Sequence, residues 1–164
     1  MLNAMKDSRV IGDYALFGAV AQMRYAEPVA TLDADVLVEV PSAERLEPLA
    51  AIYQFCAERG YQPEGEAVRV GAWPVQFIPV FNPLTQEALE RAETADYEGV
   101  PFRVVRADFL AVIALSVGRA KDLTRILALL ESRSVSRDEI AGLAARHGLS
   151  DAWQRFEARF PNEL

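Results

Sequence analysis

Asp33 and Asp35 stand two residues apart in Thr31-Leu32-Asp33-Ala34-Asp35-Val36, inside an alternating run over 30–40. Leu32, Ala34, Val36 and Val38 share one parity, and Asp33, Asp35, Leu37 and Glu39 the other, which is the period of a β-strand. Both carboxylates then leave one face, roughly 6.6 Å apart along the chain. Two hard oxygen donors at that spacing can share one Mg²⁺, with ligand oxygens about 2.1 Å from the ion, or bracket two ions about 4 Å apart. A strand with one wet face, where the aspartates are simply solvated, is the competing reading. Asp is depleted in strands, and Leu37 shares the aspartates' parity. For a bare Asp-x-Asp the two readings stand level.

The elements that must position this pair follow from the pattern. Tyr14 to Ala26 begins extended and turns helical at Gly18-Ala19, where a bared backbone offers N–H groups to a phosphate or simply packs closely. After the strand, Pro41-Ser42 breaks the pattern and Ser42 caps a helix. Its stripe is Leu46, Leu49, Ala50, Tyr53, Phe55 and Cys56, and it stops at Gly60. Runs 67–70 and 75–81, split by Gly71-Ala72-Trp73-Pro74, read as a hairpin. A helix over 84–95 and a strand over 100–105 follow. From Arg106 onward the pattern is helical, over 107–117, 119–132, 136–147 and 149–160, with Asp108, Ser136 and Ser150 as entry caps. Phe109 to Val117 is apolar on nearly every side, which marks a central helix. The order β-α-β-β-α-β and then helices argues for an α+β fold, a mixed sheet flanked by helices. The expected division is an α/β core over 1–105 and a C-terminal helical region over 106–164 packed on it as one compact unit.

Composition narrows the partners. The 164 residues carry 17 Lys plus Arg against 24 Asp plus Glu, a formal charge of −7. An acidic chain has no general attraction for long nucleic acid or an anionic membrane. No apolar run nears the roughly 18 residues that cross a bilayer, and no secretory leader opens the chain. The single cysteine excludes an internal disulfide framework and a Cys-based zinc site. These features point to the cytoplasm. Lys6 and Lys121 are the only lysines, so Lys121, inside the helical region, stands out.

Gly18-Ala19, followed twelve residues later by Thr31-Leu32-Asp33-Ala34-Asp35-Val36, resembles the signature of the DNA polymerase beta-type nucleotidyltransferase superfamily. That signature is a Gly-Gly or Gly-Ser pair at a helix start, a short spacer and an Asp-x-Asp flanked by apolar residues. The chain is most similar in pattern to small bacterial proteins related to abortive-infection toxin nucleotidyltransferases. Those carry a Thr before the aspartate strand, as Thr31 does here, and an Arg-x-Lys-Asp stretch on a late helix, as in Arg119-Ala120-Lys121-Asp122. The resemblance spans about residues 12–132.

The resemblance implies a nucleotidyltransferase-like sheet and a reaction in which two Mg²⁺ ions grip a nucleoside triphosphate (NTP) and a hydroxyl acceptor attacks its α-phosphate. Asp33 and Asp35 would hold the metal, with Gln76 as the third ligand. Gly18, Ala19, Thr31, Arg119 and Lys121 would contact the nucleotide, and Lys121 would join the two aspartates as a catalytic cation. Three positions depart from the pattern. The pair is Gly-Ala, without a phosphate-contacting hydroxyl. Gln76 in Pro74-Val75-Gln76-Phe77 occupies the place of the usual third carboxylate, and an amide cannot act as a base. Val29 stands where related proteins have Arg. The substrate, Glu39 or Glu27 are the alternative bases, and a fold that binds without turnover is the alternative function.

Other residues have plainer readings. Arg119 and Asp122 are spaced for an ion pair, and Lys121 and Arg125 for like-charge repulsion of a few tenths of a kcal/mol. Arg103 and Arg106 are candidates for a basic rim near Lys121. His147, before Gly148, suits a helix C-terminus. Cys56 suits a buried thiol, and Trp73 suits packing over the sheet rather than a base stack. The helices from Ser134 onward, with Leu143, Leu149, Trp153, Phe156 and Phe160, suit packing on the domain, on a second copy in a homodimer, or on a cognate partner protein.

Overall fold

The computed structural model describes residues 1–41 and 47–161. Ser42 and Leu46, assigned above to the cap and stripe of the first long helix, lie outside the described residues. Contacts sort the described chain into two units. One gathers Met1–Val20 with the described residues of Ala30–Val105, and the other gathers Ala21–Val29 with those from Arg106 onward.

The first unit is built on a seven-stranded mixed sheet in the order β3-β4-β5-β2-β1-β7-β6. Its strands are β1 (Tyr14–Leu16), β2 (Ala34–Val38), β3 (Gln62–Glu64), β4 (Ala67–Val70), β5 (Trp73–Pro79), β6 (Glu93–Tyr97) and β7 (Val100–Val104). Helices α1 (Leu2–Asp7), α3 (Ala50–Glu58) and α4 (Pro83–Glu90) accompany them, and α2 (Gly18–Gln22) starts in this unit and ends in the second. β2 runs antiparallel to β1 and parallel to β5. The parity read from sequence decides its two faces. Val36 and Val38 join Tyr14, Val75 and Phe77 in a core with Met5 of α1 and Ile52, Phe55 and Cys56 of α3. Each such buried side chain stabilises the fold by about 1.5–3 kcal/mol. The other parity of β2 presents Asp35 and Leu37. Burial pushes the Cys56 thiol above its ordinary pKa, and Arg59 only partly offsets this, so the thiol stays protonated.

Three elements were not read from the sequence. In α1 only Met5 is buried, and β3 is exposed throughout. β6 is an edge strand with Ala95 as its single buried residue, so it carries little alternation; the helix expected over 84–95, α4, ends at Glu90 instead. The β6–β7 connection is a two-residue hairpin. Glu98 and Gly99 both have positive φ, 51° and 79°, as a type I′ turn requires.

An ionic cluster ties the start of the chain to β7. Lys6 Nζ and the Tyr14 N–H donate to Asp13 Oδ1 at 2.8 and 2.9 Å. Arg103 donates to Asp13 Oδ2 and, through Nη2, to the carbonyls of Glu90 and Ala92. Burial alone would raise the Asp13 carboxyl pKa. The bonds from Lys6 and Tyr14 and the charges of Arg103 and Lys6 outweigh it and hold the group below its ordinary value. The unfolded chain therefore binds the proton more readily. The stability this gives is present above the ordinary Asp pKa of about 3.9 and is lost as pH falls through the lower folded value. Asp13→Asn should cost about 1–2 kcal/mol at pH 7. Urea unfolding at pH 7 and pH 3 should show a smaller loss on acidification in the variant than in the wild type.

The second unit is helical from Arg106 onward: α5 (Ala107–Val117), α6 (Ala120–Glu131), α7 (Arg137–Arg146) and α8 (Ser150–Arg159). Phe109 to Leu115 of α5 are all buried, and α6, α7 and α8 pack against this helix. α5 stops at Gly118, whose φ of 71° ends the helix with a left-handed residue. Ser136 caps α7 with a reciprocal bond to Glu139, which lowers the Glu139 pKa. The other two expected caps are corrected. Arg106, not Asp108, precedes α5, with Asp108 in its first turn. Leu149, not Ser150, precedes α8. His147 ends α7 as expected. No helix among the described residues is long and apolar enough to cross a membrane.

Candidate functional site

β2 begins at Ala34, so Asp35 lies in the strand while Asp33 falls in the bend just before it. This corrects the expectation that both aspartates are strand residues. The bend is organised by Thr31, whose Oγ1 donates to the Asp33 carbonyl at 3.0 Å and to Asp33 Oδ1 at 3.1 Å. Thr31, expected to meet the nucleotide, thus has its hydroxyl on the first aspartate.

Asp35 is fixed from both sides of its strand. The Phe17 N–H donates to the Asp35 carbonyl at 2.9 Å, at the turn from β1 into α2. The next residue, Gly18, is buried with φ +62°. A Cβ on Gly18 would stand 3.0 Å from Asp35 Cγ and closer still to Oδ2. Only glycine accepts both that φ and that approach. Ala19 continues the short helix beside it. On the other side Asp35 pairs in parallel register with Gln76 of β5, so their side chains leave the same face of neighbouring strands about 4.8 Å apart.

Among the described residues no group of three or more His, Cys, Asp or Glu is gathered to hold a metal ion. The candidate donor set is the two aspartate carboxylates and the neutral Gln76 amide. Hard carboxylate oxygens suit Mg²⁺, which typically takes one or two carboxylates and completes its shell with water and substrate phosphates. By donor type the residues suit one such ion. Gln76 brings a neutral amide, so this set offers no third carboxylate for a second ion. Glu39 does not supply one: it lies four residues past Asp35, roughly 13 Å along the extended chain, with its carboxylate over Gly12.

Arg119 and Lys121 belong to the second unit. Arg119 precedes α6, and its Nε donates to Asp122 Oδ2 at 2.7 Å, the ion pair expected from the spacing. Asp122 is 2% exposed, and Arg125 Nη1 approaches its other oxygen at 4.0 Å. Arg125 Nε donates to Oε1 of the buried Gln22 at 3.1 Å. Arg125 therefore turns toward Asp122 and Gln22. The sequence signal for this was the three-residue spacing from Asp122 to Arg125; Gln22 had none. Lys121 is exposed and forms no hydrogen bond or ion pair among the described residues. Of the two arginines expected to extend a basic rim near Lys121, Arg103 is ion-paired with Asp13 and Arg106 with Asp108. Trp73 is half-exposed at the start of β5 rather than packed away.

No family model matches the chain, and no curated protein matches it. Solved structures do. An antigenic nucleotidyltransferase-like protein from Paracoccidioides brasiliensis is similar over 98% of this chain and 94% of its own, at 16% identity and a TM-score of 0.53. The antibiotic-resistance factor ANT(2'')-Ia is similar over 96% of this chain and 94% of its own, at 15% identity and a TM-score of 0.52. The fold is nucleotidyltransferase-like. The mixed sheet of the first unit is the part of that fold that carries Asp35, Gln76 and, at the edge of β2, Asp33.

Proposed function

We propose that the chain binds a nucleoside triphosphate with Mg²⁺ and transfers its nucleotide to a hydroxyl acceptor. The observation that carries this reading is Asp35 seated on the Gly18 backbone within a nucleotidyltransferase-like fold, two residues from an Asp33 oriented by Thr31. Asp33 and Asp35, with the Gln76 carbonyl oxygen, are the residues that would hold Mg²⁺. The ion, when bound, supplies charge neutralisation and polarisation of the phosphates. The acceptor oxygen would bond to the α-phosphorus as the α–β anhydride bond breaks and pyrophosphate leaves. The resemblance adds Lys121 and Arg119 as candidate cations for the triphosphate. Isothermal titration of each NTP, with and without Mg²⁺, tests the reading. Saturable binding that requires Mg²⁺ supports it, and absence of binding to all four NTPs removes it.

A second reading, a binding module without turnover, is favoured by Gln76 beside Asp35. The proton of the attacking hydroxyl needs an acceptor, and an amide does not serve. Gln76→Asp places a carboxylate at that register position. If the natural chain binds but does not turn over, this variant should transfer α-labelled nucleotide to a generic acceptor mixture at least about 100-fold faster than the wild type, the usual contribution of a positioned base. A wild type that labels an acceptor in an Asp33-dependent manner rejects the second reading.

A further inference from the structure

The second unit contains a cavity of about 480 Å³ that the proposed reaction does not use. Leu115 of α5, Leu123 of α6, Leu149, and Phe156 of α8 line it, together with Arg155 and Arg159. Its size lies in the range of small-ligand sites, roughly 300–1,000 Å³.

The charge of the lining is one-sided. Among the described residues Arg155 and Arg159 are its two ionisable lining residues, and no carboxylate lines it. They stand four apart on α8, so they share a helix face with Cβ atoms about 5–6 Å apart, and as like charges they repel. Neither guanidinium enters an ion pair among the described residues, whereas Arg69, Arg91, Arg103, Arg106 and Arg119 each meet a carboxylate. Arg159 lies over the Phe160 ring at 5.2 Å instead. In a chain of charge −7, two cations with no carboxylate partner among the described residues, set over an apolar floor, form a local site of opposite sign. An anion between the guanidinium groups would relieve their repulsion and accept charge-assisted bonds from both.

We propose that this cavity binds an amphipathic anion, with an acyl or alkyl chain on the leucine and phenylalanine floor and a carboxylate or phosphate head between Arg155 and Arg159. The alternative is that the arginine stems merely cover apolar surface while their heads stay in water.

The protein carries its own reporter. Trp153 stacks on Phe156, ring centroids 5.2 Å apart, and Phe156 lines the cavity. Trp73 is the one other tryptophan, so Trp73→Phe in the full chain isolates the signal. Decanoate, decyl phosphate and decanol, each titrated below its micelle-forming concentration, separate the two head groups from the chain alone. The expected result is a saturable change in Trp153 emission, with at least one anion bound about tenfold or more tighter than decanol, as loss of a charge-assisted bond would predict. The preferred head identifies the source. Arg155→Gln with Arg159→Gln alters exposed side chains only and should abolish the preference over decanol with an unchanged circular dichroism spectrum. Ala152→Phe, at another lining position, should weaken all three ligands. The proposal is overturned by no saturable change, by decanol binding as tightly as both anions, or by a preference that survives the double substitution.

Discussion

Asp35→Asn should abolish Mg²⁺-dependent triphosphate binding, lowering affinity by at least about 30-fold. The estimate follows from truncating one charged partner of a hydrogen-bonded ionic contact, which costs about 2–5 kcal/mol, or a factor of about 30 to several thousand. Asn keeps the shape of the side chain, so its carbonyl can still meet an ion, but the charge that holds the ion is gone. Asp33→Asn should act in the same direction. Thr31→Val should act more weakly, because the Thr31 hydroxyl only orients Asp33 and its loss leaves the carboxylate in place. Calorimetry at fixed Mg²⁺, repeated with a chelator, reads the effect. The wild type in chelator should resemble Asp35→Asn in Mg²⁺. Equal affinities for wild type and variant in Mg²⁺ would remove the aspartates from the proposed function.

How much of this could be read from residues alone depended on burial. The aspartate strand was legible because Val36 and Val38 go into a core with Phe77 and Tyr14 while Asp35 takes the other parity. α5 was legible because a helix buried all round has to be apolar all round. β3 and β6 were not, because edge strands bury one residue or none and leave no alternation to detect. The one local clue to β6 was Glu98-Gly99, a hairpin turn that reads equally well as a break before the next strand. The site followed the same rule. Spacing in one segment suggested Asp33, Asp35 and the Arg119–Asp122 pair. The register that sets Gln76 beside Asp35, the turn of Arg125 toward Gln22 and the hold of Thr31 on Asp33 depend on how the backbone bends and pairs. Of the two readings of Gly18, bared amides or close packing, the fold shows the close approach, and what it requires there is the absence of a side chain.

That requirement makes Gly18→Ala the sharpest structural test of the site. Gly18 and Gly71 share nearly the same backbone conformation, φ +62° and +61°, but nothing lies within 4 Å of a Cβ placed on Gly71, whereas one on Gly18 meets the Asp35 carboxylate. Gly71→Ala therefore reads the left-handed backbone cost alone, about 1–2 kcal/mol. Gly18→Ala adds the displacement of Asp35 from its seat. It should cost roughly 1–2 kcal/mol more than Gly71→Ala, within the range measured for overpacking. In a chain of this size each kcal/mol lowers Tm by about 2–4 °C, so thermal melting resolves the two. The functional contrast should be larger. Gly71→Ala leaves Asp35 where it is and should bind Mg²⁺-NTP as the wild type does. Gly18→Ala forces the carboxylate to rotate away or the β1–α2 turn to open, and affinity should fall by about tenfold or more at a temperature where both variants are folded. Equal melting temperatures and equal affinities for the two variants would show that the close approach of Gly18 to Asp35 has no consequence for either stability or binding.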